Sequence, residues 1–310
     1  MMSRRPVAAL AALAVVVLGL AGCGGTPPPV SGGSPHSSGA SSPTGRAASP
    51  STGPAAPPAT SQAAAARPDH VLVAIFENKA YSQVIGVAPA FDQLVALGTS
   101  FTNSRAITHP SQPNYLALFS GSTHGITNDS CPHTIHAGNL AQQLLDARAS
   151  FTGYAEDLPH SGYTGCSSGG YARKHAPWTN FAGLPATVGQ PYSAFPADFS
   201  RLPSVAFVVP NLCHDMHDCP VRTGDAWLAQ HLLPYASWAR SHNSLLIVTF
   251  DEDNGAAGNQ IPTIVVGAGI PVAKDGTRIT QYSLLRAIEN CFGLPPLGQA
   301  ATASAPRLCG

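Results

Sequence analysis

The chain has 310 residues, 16 basic and 16 acidic side chains, and 12 histidines. Only 10% of its residues are charged, against roughly 25% in an ordinary soluble domain. With no basic excess it lacks the electrostatic footprint of a nucleic-acid binder, and net charge gives it no strong steering toward any partner.

The N-terminus reads as a leader. Arg4-Arg5 precede an apolar run from Val7 to Leu20, too short for a comfortable membrane span, and small residues follow. Ser3-Arg4-Arg5 hints at twin-arginine export. Leu20-Ala21-Gly22-Cys23 resembles a bacterial lipobox, which implies cleavage after residue 22, a lipid on the Cys23 sulfur and tethering to the outer side of a membrane. An ordinary secreted protein is the simpler alternative. Losing Arg4 and Arg5 with the leader leaves 14 basic residues against 16 acidic ones. Residues 24–67 are built mostly from Gly, Pro, Ser, Thr and Ala with no acid and no Phe, Trp or Tyr, so 23–67 is expected to be a disordered tether and 68–310 one α/β domain. Beyond Cys23 there are six cysteines, Cys131, Cys166, Cys213, Cys219, Cys291 and Cys309. An even number in an exported chain reads as disulfides. Of 15 possible connectivities the nearest-neighbour one is favoured, 131–166, 213–219 and 291–309. A zinc site at Cys213-His214 matches no structural zinc spacing.

In chain order, His70–Phe76 is a continuous apolar run suited to a strand buried on both faces, and Glu77-Asn78 stand at its C-terminal end. Pro89–Leu97 reads as a helix stopped by Gly98, and Thr99–Ala106 as a strand. Thr108-His-Pro-Ser111-Gln-Pro-Asn114-Tyr115 then opens a helix that ends at Ser120-Gly121, with Ser111 either as its cap or as a hydroxyl facing an anion at the helix start. Asn139–Ala149 reads as a helix and Phe151–Ala155 as a strand ending in Glu156-Asp157. Residues 158–200 read as irregular, and a loop that long is usually functional; Lys174 and His175 lie in its basic and aromatic cluster. Val205–Val209 is a short buried strand followed by His214, Asp215, His217 and Asp218. Gly224-Asp225 are expected to open one helix reaching about His242, on which His231 reads as an interior histidine. Ser244–Phe250 is a second apolar strand, ending in Asp251-Glu252-Asp253, three acids that repel one another unless a cation or donors compensate. A strand over 262–267 and a helix over 280–292 complete the pattern. Alternation of strand and helix predicts a mostly parallel sheet with helices on both faces.

Three strands therefore end in oxygen ligands or histidines on one rim, beside a serine at a helix start. That combination fits metal-assisted phosphoryl or sulfuryl transfer through the serine. The order and number of these motifs, with Asn259-Gln-Ile-Pro-Thr, resemble the bacterial phosphoesterase family of acid phosphatases and phospholipases C, within the alkaline phosphatase-like superfamily. The resemblance runs from about residue 70 to 294 and implies a three-layer α/β sandwich around a mostly parallel sheet.

Carried over residue by residue, the resemblance makes Ser111 the nucleophile and Glu77, Asn78, Asp251 and Glu252, with Ser111, the ligands of one divalent cation. Mg²⁺, Ca²⁺ or Mn²⁺ is favoured by an oxygen set, with Zn²⁺ as the other option. His217 would protonate the leaving alcohol, and Asn114, Lys174, His175, His214, Asp215 and Asp218 would meet the phosphate or leaving group. Cys131–Cys166 would be the disulfide shared with relatives and the other four cysteines additions. The expected substrate is a phosphate monoester. A phospholipase C-type phosphodiesterase is the alternative, and a lipid-tethered binding protein with a dead site a third reading. No obligate protein partner is evident.

Overall fold

The computed structural model describes residues 67–309; the expected leader, Cys23 and the tether lie outside the described residues. Ten strands are found: β1 His70–Phe76, β2 Thr99–Phe101, β3 Phe151–Ala155, β4 Ser167–Ser168, β5 Tyr171–Ala172, β6 Gly189–Pro191, β7 Val205–Val209, β8 Ser244–Phe250, β9 Thr263–Gly267 and β10 Ala273–Asp275. The helices are α1 Tyr81–Val84, α2 Pro89–Leu97, α3 Ser111–Ser120, α4 Leu140–Asp146, α5 Val221–His231, α6 Leu233–Ala239 and α7 Gln281–Phe292.

Eight strands form one sheet in the order β10-β2-β9-β8-β1-β7-β3-β6, and β4 and β5 form a separate hairpin. From β8 to β6 every pairing is parallel, while β9 runs antiparallel to both β8 and β2. β1 shows why the sheet sits between two layers. Val71, Val73 and Ile75 pack into one core with residues of α3, α4 and α7; Leu72, Ala74 and Phe76 pack into the other with residues of α2, α5 and α6. Side chains alternate across a strand, so a run that is apolar at every position needs cover on both sides. The helix layers provide it, giving the expected three-layer sandwich.

The elements depart from expectation at three places. The second strand stops at Phe101, because beyond it only the isolated bridges Ser104–Ile279 and Arg105–Gln260 continue the pairing. The helix expected from Gly224 starts at Val221 and breaks at Leu232, where Pro234 in the next turn cannot supply an N–H. Asp225 therefore sits inside α5 and caps a different helix: its Oδ1 accepts the N–H groups of Ala90 and Phe91 in α2, at 2.9 and 3.2 Å. Residues 158–200 are ordered by short 3₁₀ turns and by Arg173. Its buried guanidinium donates to the carbonyls of His133, Thr164 and Thr179 and to Asn180 Oδ1.

Disulfides join Cys131 to Cys166, Cys213 to Cys219 and Cys291 to Cys309, the nearest-neighbour pattern. Among the described residues no helix is long and apolar enough to cross a membrane.

Candidate active site

The three central strands β8, β1 and β7 are neighbours and parallel, so their C-terminal ends share one edge of the sheet. Ligands in open α/β sheets gather outside such ends. Glu77 follows β1, Asp251 follows β8, and the loop carrying His214 to Asp218 follows β7. Backbone bonds lace these exits together: Glu77 N–H donates to the Asp215 carbonyl, Asp251 N–H to the Phe76 carbonyl, and Asn78 N–H to Asp251 Oδ1. Asn78 has φ +56°, a left-handed conformation that asparagine tolerates, which turns the chain sharply behind β1.

Ser111 does not cap α3. Pro110 holds the capping position, Ser111 is the first helical residue, and its hydroxyl donates to Glu77 Oε2 at 3.1 Å. The helix is buried along its whole length, which fixes the serine against the strand ends. Glu77 is fully buried; its Oε1 accepts the Tyr115 hydroxyl at 2.5 Å and lies 3.0 Å from His175 Nε2. On its other side the imidazole of His175 lies 3.2 Å from Asp215 Oδ2, and its ring stacks on Tyr115.

Burial and crowding act on these acids. Burial, then Asp251 and Asp215, pushes Glu77 well above the ordinary carboxylate range. Asp251 and Asp215 are each pushed up to about 7, first by burial, and Glu252 to about 8 by burial and then by Asp251 and Asp129. Burial drives the His175 imidazole well below its usual value. Asp251 Oδ2 is buried without a hydrogen-bond partner, and His175 Nε2 and Asp215 Oδ2, although 3.0 and 3.2 Å from Glu77 Oε1 and His175 Nδ1, are not aligned for one. A fully buried acid cluster with unpartnered oxygens fits a cation. The ligand atoms of Glu77, His175 and His217 come within 4.8 Å of one another and could hold one. That grouping shares Glu77 with the expected oxygen set and adds two imidazoles, which widens the fit toward Mn²⁺ and Zn²⁺.

The remaining expected residues fall into two groups. Lys174 Nζ lies 3.2 Å from His217 Nε2 and donates to Asp129 Oδ2 at 2.8 Å. His217 Nδ1 is 2.6 Å from Asp218 Oδ1, a contact that orients the ring and turns Nε2 toward Lys174. Met216, at φ +78°, bends the loop so that His217 N–H reaches Asp215 Oδ1 at 2.7 Å.

Four of the expected phosphate contacts are engaged elsewhere. Asn114 is no free phosphate donor: it is buried, its Oδ1 accepts the N–H groups of Ile107 and Thr108, and its Nδ2 donates to the carbonyls of Thr108 and Pro110 and to Glu252 Oε2. It braces the loop that delivers Ser111. His175 and Asp215 are sealed behind Glu77 rather than lining an open pocket. His214 bonds to Glu156 and leans on Trp227, a contact set separate from Ser111.

Sequence reasoning gives no role to Tyr115, His109 or Asp129. Tyr115 and His109 lie within the Ser111 motif but carry no spacing signal of their own. His109 spans Glu252 and Asp253, with its ring nitrogens 3.2 Å from each. Asp129 lies in a polar loop that nothing in the pattern ties to the rim.

Residues 88–295 match the family described as the phosphoesterase family. The chain is 46% identical over 241 residues to the phosphatidylinositol-3-phosphatase of Mycobacterium tuberculosis, an alignment covering 76% of this chain and 80% of that protein. It is 30% identical over 227 residues to an acid phosphatase of Aspergillus fumigatus, covering 66% of this chain and 51% of the relative, so it spans about half the length of the fungal protein. Among solved structures, a protein of the alkaline phosphatase superfamily from Vibrio parahaemolyticus superposes with a TM-score of 0.50 at 16% identity, over 78% of this chain and 71% of that one. At that identity the likeness speaks to the fold.

Proposed function

The chain belongs to the phosphoesterase family, and from that premise we propose that it is a phosphomonoesterase in which Ser111 attacks phosphorus and is transiently phosphorylated. The observation that carries the reading is the placement of the Ser111 hydroxyl. It stands at the start of a buried ten-residue helix, spends nothing on capping, and bonds to Glu77 inside a cluster of buried acids.

Glu77, Asn78, Ser111, Asp251 and Glu252 would hold one divalent cation, with the imidazole of His175 beside Glu77 close enough to contribute. Such an ion supplies positive charge that acidifies the serine hydroxyl and offsets the charge of the phosphate. The chain's own residues do the rest. Glu77 Oε2 orients the Ser111 Oγ–H. The Gln112 N–H in the first turn of α3 and the Lys174 ammonium are donors for the phosphoryl oxygens, since a helix start and a cation both favour an anion. Oγ passes its proton to Glu77 Oε2 and forms a bond to phosphorus as the ester oxygen leaves, and the proton returns to Oγ when the phosphoserine is cleaved. His217, held by Asp218, gives that oxygen its proton as an imidazolium. Once neutral, it takes a proton through Nε2 from the water that cleaves the phosphoserine.

The relative's name specifies a phosphate monoester on an inositol lipid, which agrees with a monoesterase and extends the proposed substrate class to lipid phosphates. Three disulfides suit an oxidising compartment, so we infer export, with Cys23 as the lipid anchor.

The test is phosphate release from p-nitrophenyl phosphate by the full chain, before and after EDTA, with Mg²⁺, Ca²⁺, Mn²⁺ and Zn²⁺ returned singly. Loss on chelation and recovery with one ion is expected. Ser111→Ala is expected to abolish turnover with an unchanged circular dichroism spectrum and melting temperature. Near wild-type turnover in that variant would remove Ser111 as the nucleophile.

A further inference from the structure

Asp129 lies on the connection between α3 and α4, two residues before Cys131. Its carboxylate is divided between two donors: Oδ1 accepts the Gln112 N–H at 2.9 Å, and Oδ2 accepts from Lys174 Nζ at 2.8 Å. These are the donors proposed for the phosphoryl oxygens, and the role of Asp129 rests on that reading of the site. An anion of the protein's own thus sits on the anion-binding groups.

We propose that Asp129 determines specificity as a resident anion, which the dianion of a phosphate monoester displaces and the monoanion of a phosphate diester does not. Charge and concentration decide the competition. A monoester carries close to two negative charges at neutral pH and three free acceptor oxygens. A diester carries one charge and two free oxygens, no better than a carboxylate. Because Asp129 is part of the chain, its effective concentration at these donors is on the order of millimolar or more, and a ligand of equal charge gains little by replacing it. Displacement has somewhere to go: the Asp129 side chain is 29% exposed, and its neighbours Asn128 and Ser130 are both exposed. Once the carboxylate swings out, the Lys174 ammonium and the Gln112 N–H are both free to donate.

The experiment uses the full chain and three readouts: kcat and KM for p-nitrophenyl phosphate, the same for bis(p-nitrophenyl) phosphate, and the inhibition constant of inorganic phosphate. Asp129→Ala is expected to lower the inhibition constant and the monoester KM severalfold while kcat stays within about twofold. The monoester-to-diester ratio of kcat/KM is expected to fall by about tenfold, the size of one charge-assisted hydrogen bond. Asp129→Asn, which removes the charge and keeps the shape, should shift the ratio in the same direction and covers the case in which the alanine variant misfolds. A rise in KM and inhibition constant in both variants would mean that Asp129 merely holds Lys174 in place, and an unchanged ratio would equally overturn the proposal. Lys174→Gln separates the premise: if it leaves phosphate inhibition unaltered, Lys174 does not bind phosphate, and the reading of the site fails first.

Discussion

At Ser111 the sequence admits two roles, cap and nucleophile, because both place a hydroxyl at a helix start. Pro110 decides between them by occupying the cap itself, and the hydroxyl is left to Glu77. Tyr115, one turn further along α3, supplies a consequence that can be measured. Its hydroxyl donates to Glu77 and pulls that acid back toward its ionised form against burial and two neighbouring acids. A bond to a charged group contributes about 1.5–3 kcal/mol. Tyr115→Phe keeps the ring against His175 but removes that donor, so kcat/KM should fall by about tenfold or more with the fold retained. Steady-state kinetics with a thermal melt decides this, and unaltered kcat/KM would show that turnover does not need Glu77 ionised. Glu77, Asp251 and Ser111 are legible in the sequence because they stand where an apolar run stops or starts, and hydrophobic patterning marks such places. The role of Asn114 is not, because its bonds go to the backbone of Ile107 and Thr108, a loop conformation that no residue pattern encodes. Asp129 is invisible in the sequence because its partners lie 17 and 45 residues away.

The elements with strong periodicity are predicted within a few residues: β1, β8, α2 and α7 among them. Those that depend on partners are not. β10 has three residues, exposed or half-exposed, and exists because β2 accepts it as a neighbour. The α5–α6 break also hides in a continuous apolar stripe, since Trp227, Leu228, Tyr235 and Ala236 are all core residues on both sides of it. Asp225 illustrates how one element stabilises another. Asp at the start of an amphipathic run is a usual cap, yet here it caps α2, whose own capping residue Ala88 has no side-chain acceptor. Asp225→Ala would leave two buried N–H groups unpaired, at a cost of about 1–3 kcal/mol. In a domain of this size that is a drop in melting temperature of about 2–4 °C per kcal/mol, while kcat should not move. A melt combined with a p-nitrophenyl phosphate assay tests both halves, and an unshifted melting temperature would mean that α2 does not need this bond.

Across the whole molecule, the acids on the rim set how stability follows pH when the proposed cation is absent. In the folded chain burial pushes Asp251 and Asp215 up to about 7 and Glu252 up to about 8, against roughly 4 when unfolded. The folded state therefore holds more protons than the unfolded state between about pH 4 and pH 8. Stability must then fall as pH rises through that window and level off above it. The chelated protein should melt at a lower temperature at pH 8 than at pH 5, and the restoring ion should raise the melting temperature more at pH 8. Differential scanning fluorimetry in EDTA at the two pH values is sufficient, and a melting temperature that climbs with pH would contradict the assignment.

The direction of β1 has one more consequence. The described chain enters at Arg67, Asp69 N–H meets the Asn243 carbonyl at the beginning of β8, and the seven residues of β1 then deliver Glu77 to the rim. At about 3.3 Å per residue β1 separates its starting end from the acids by about 23 Å. Whatever holds the protein ahead of Arg67, a support in the laboratory or an anchor in the cell, is joined to the end of β1 away from the acids.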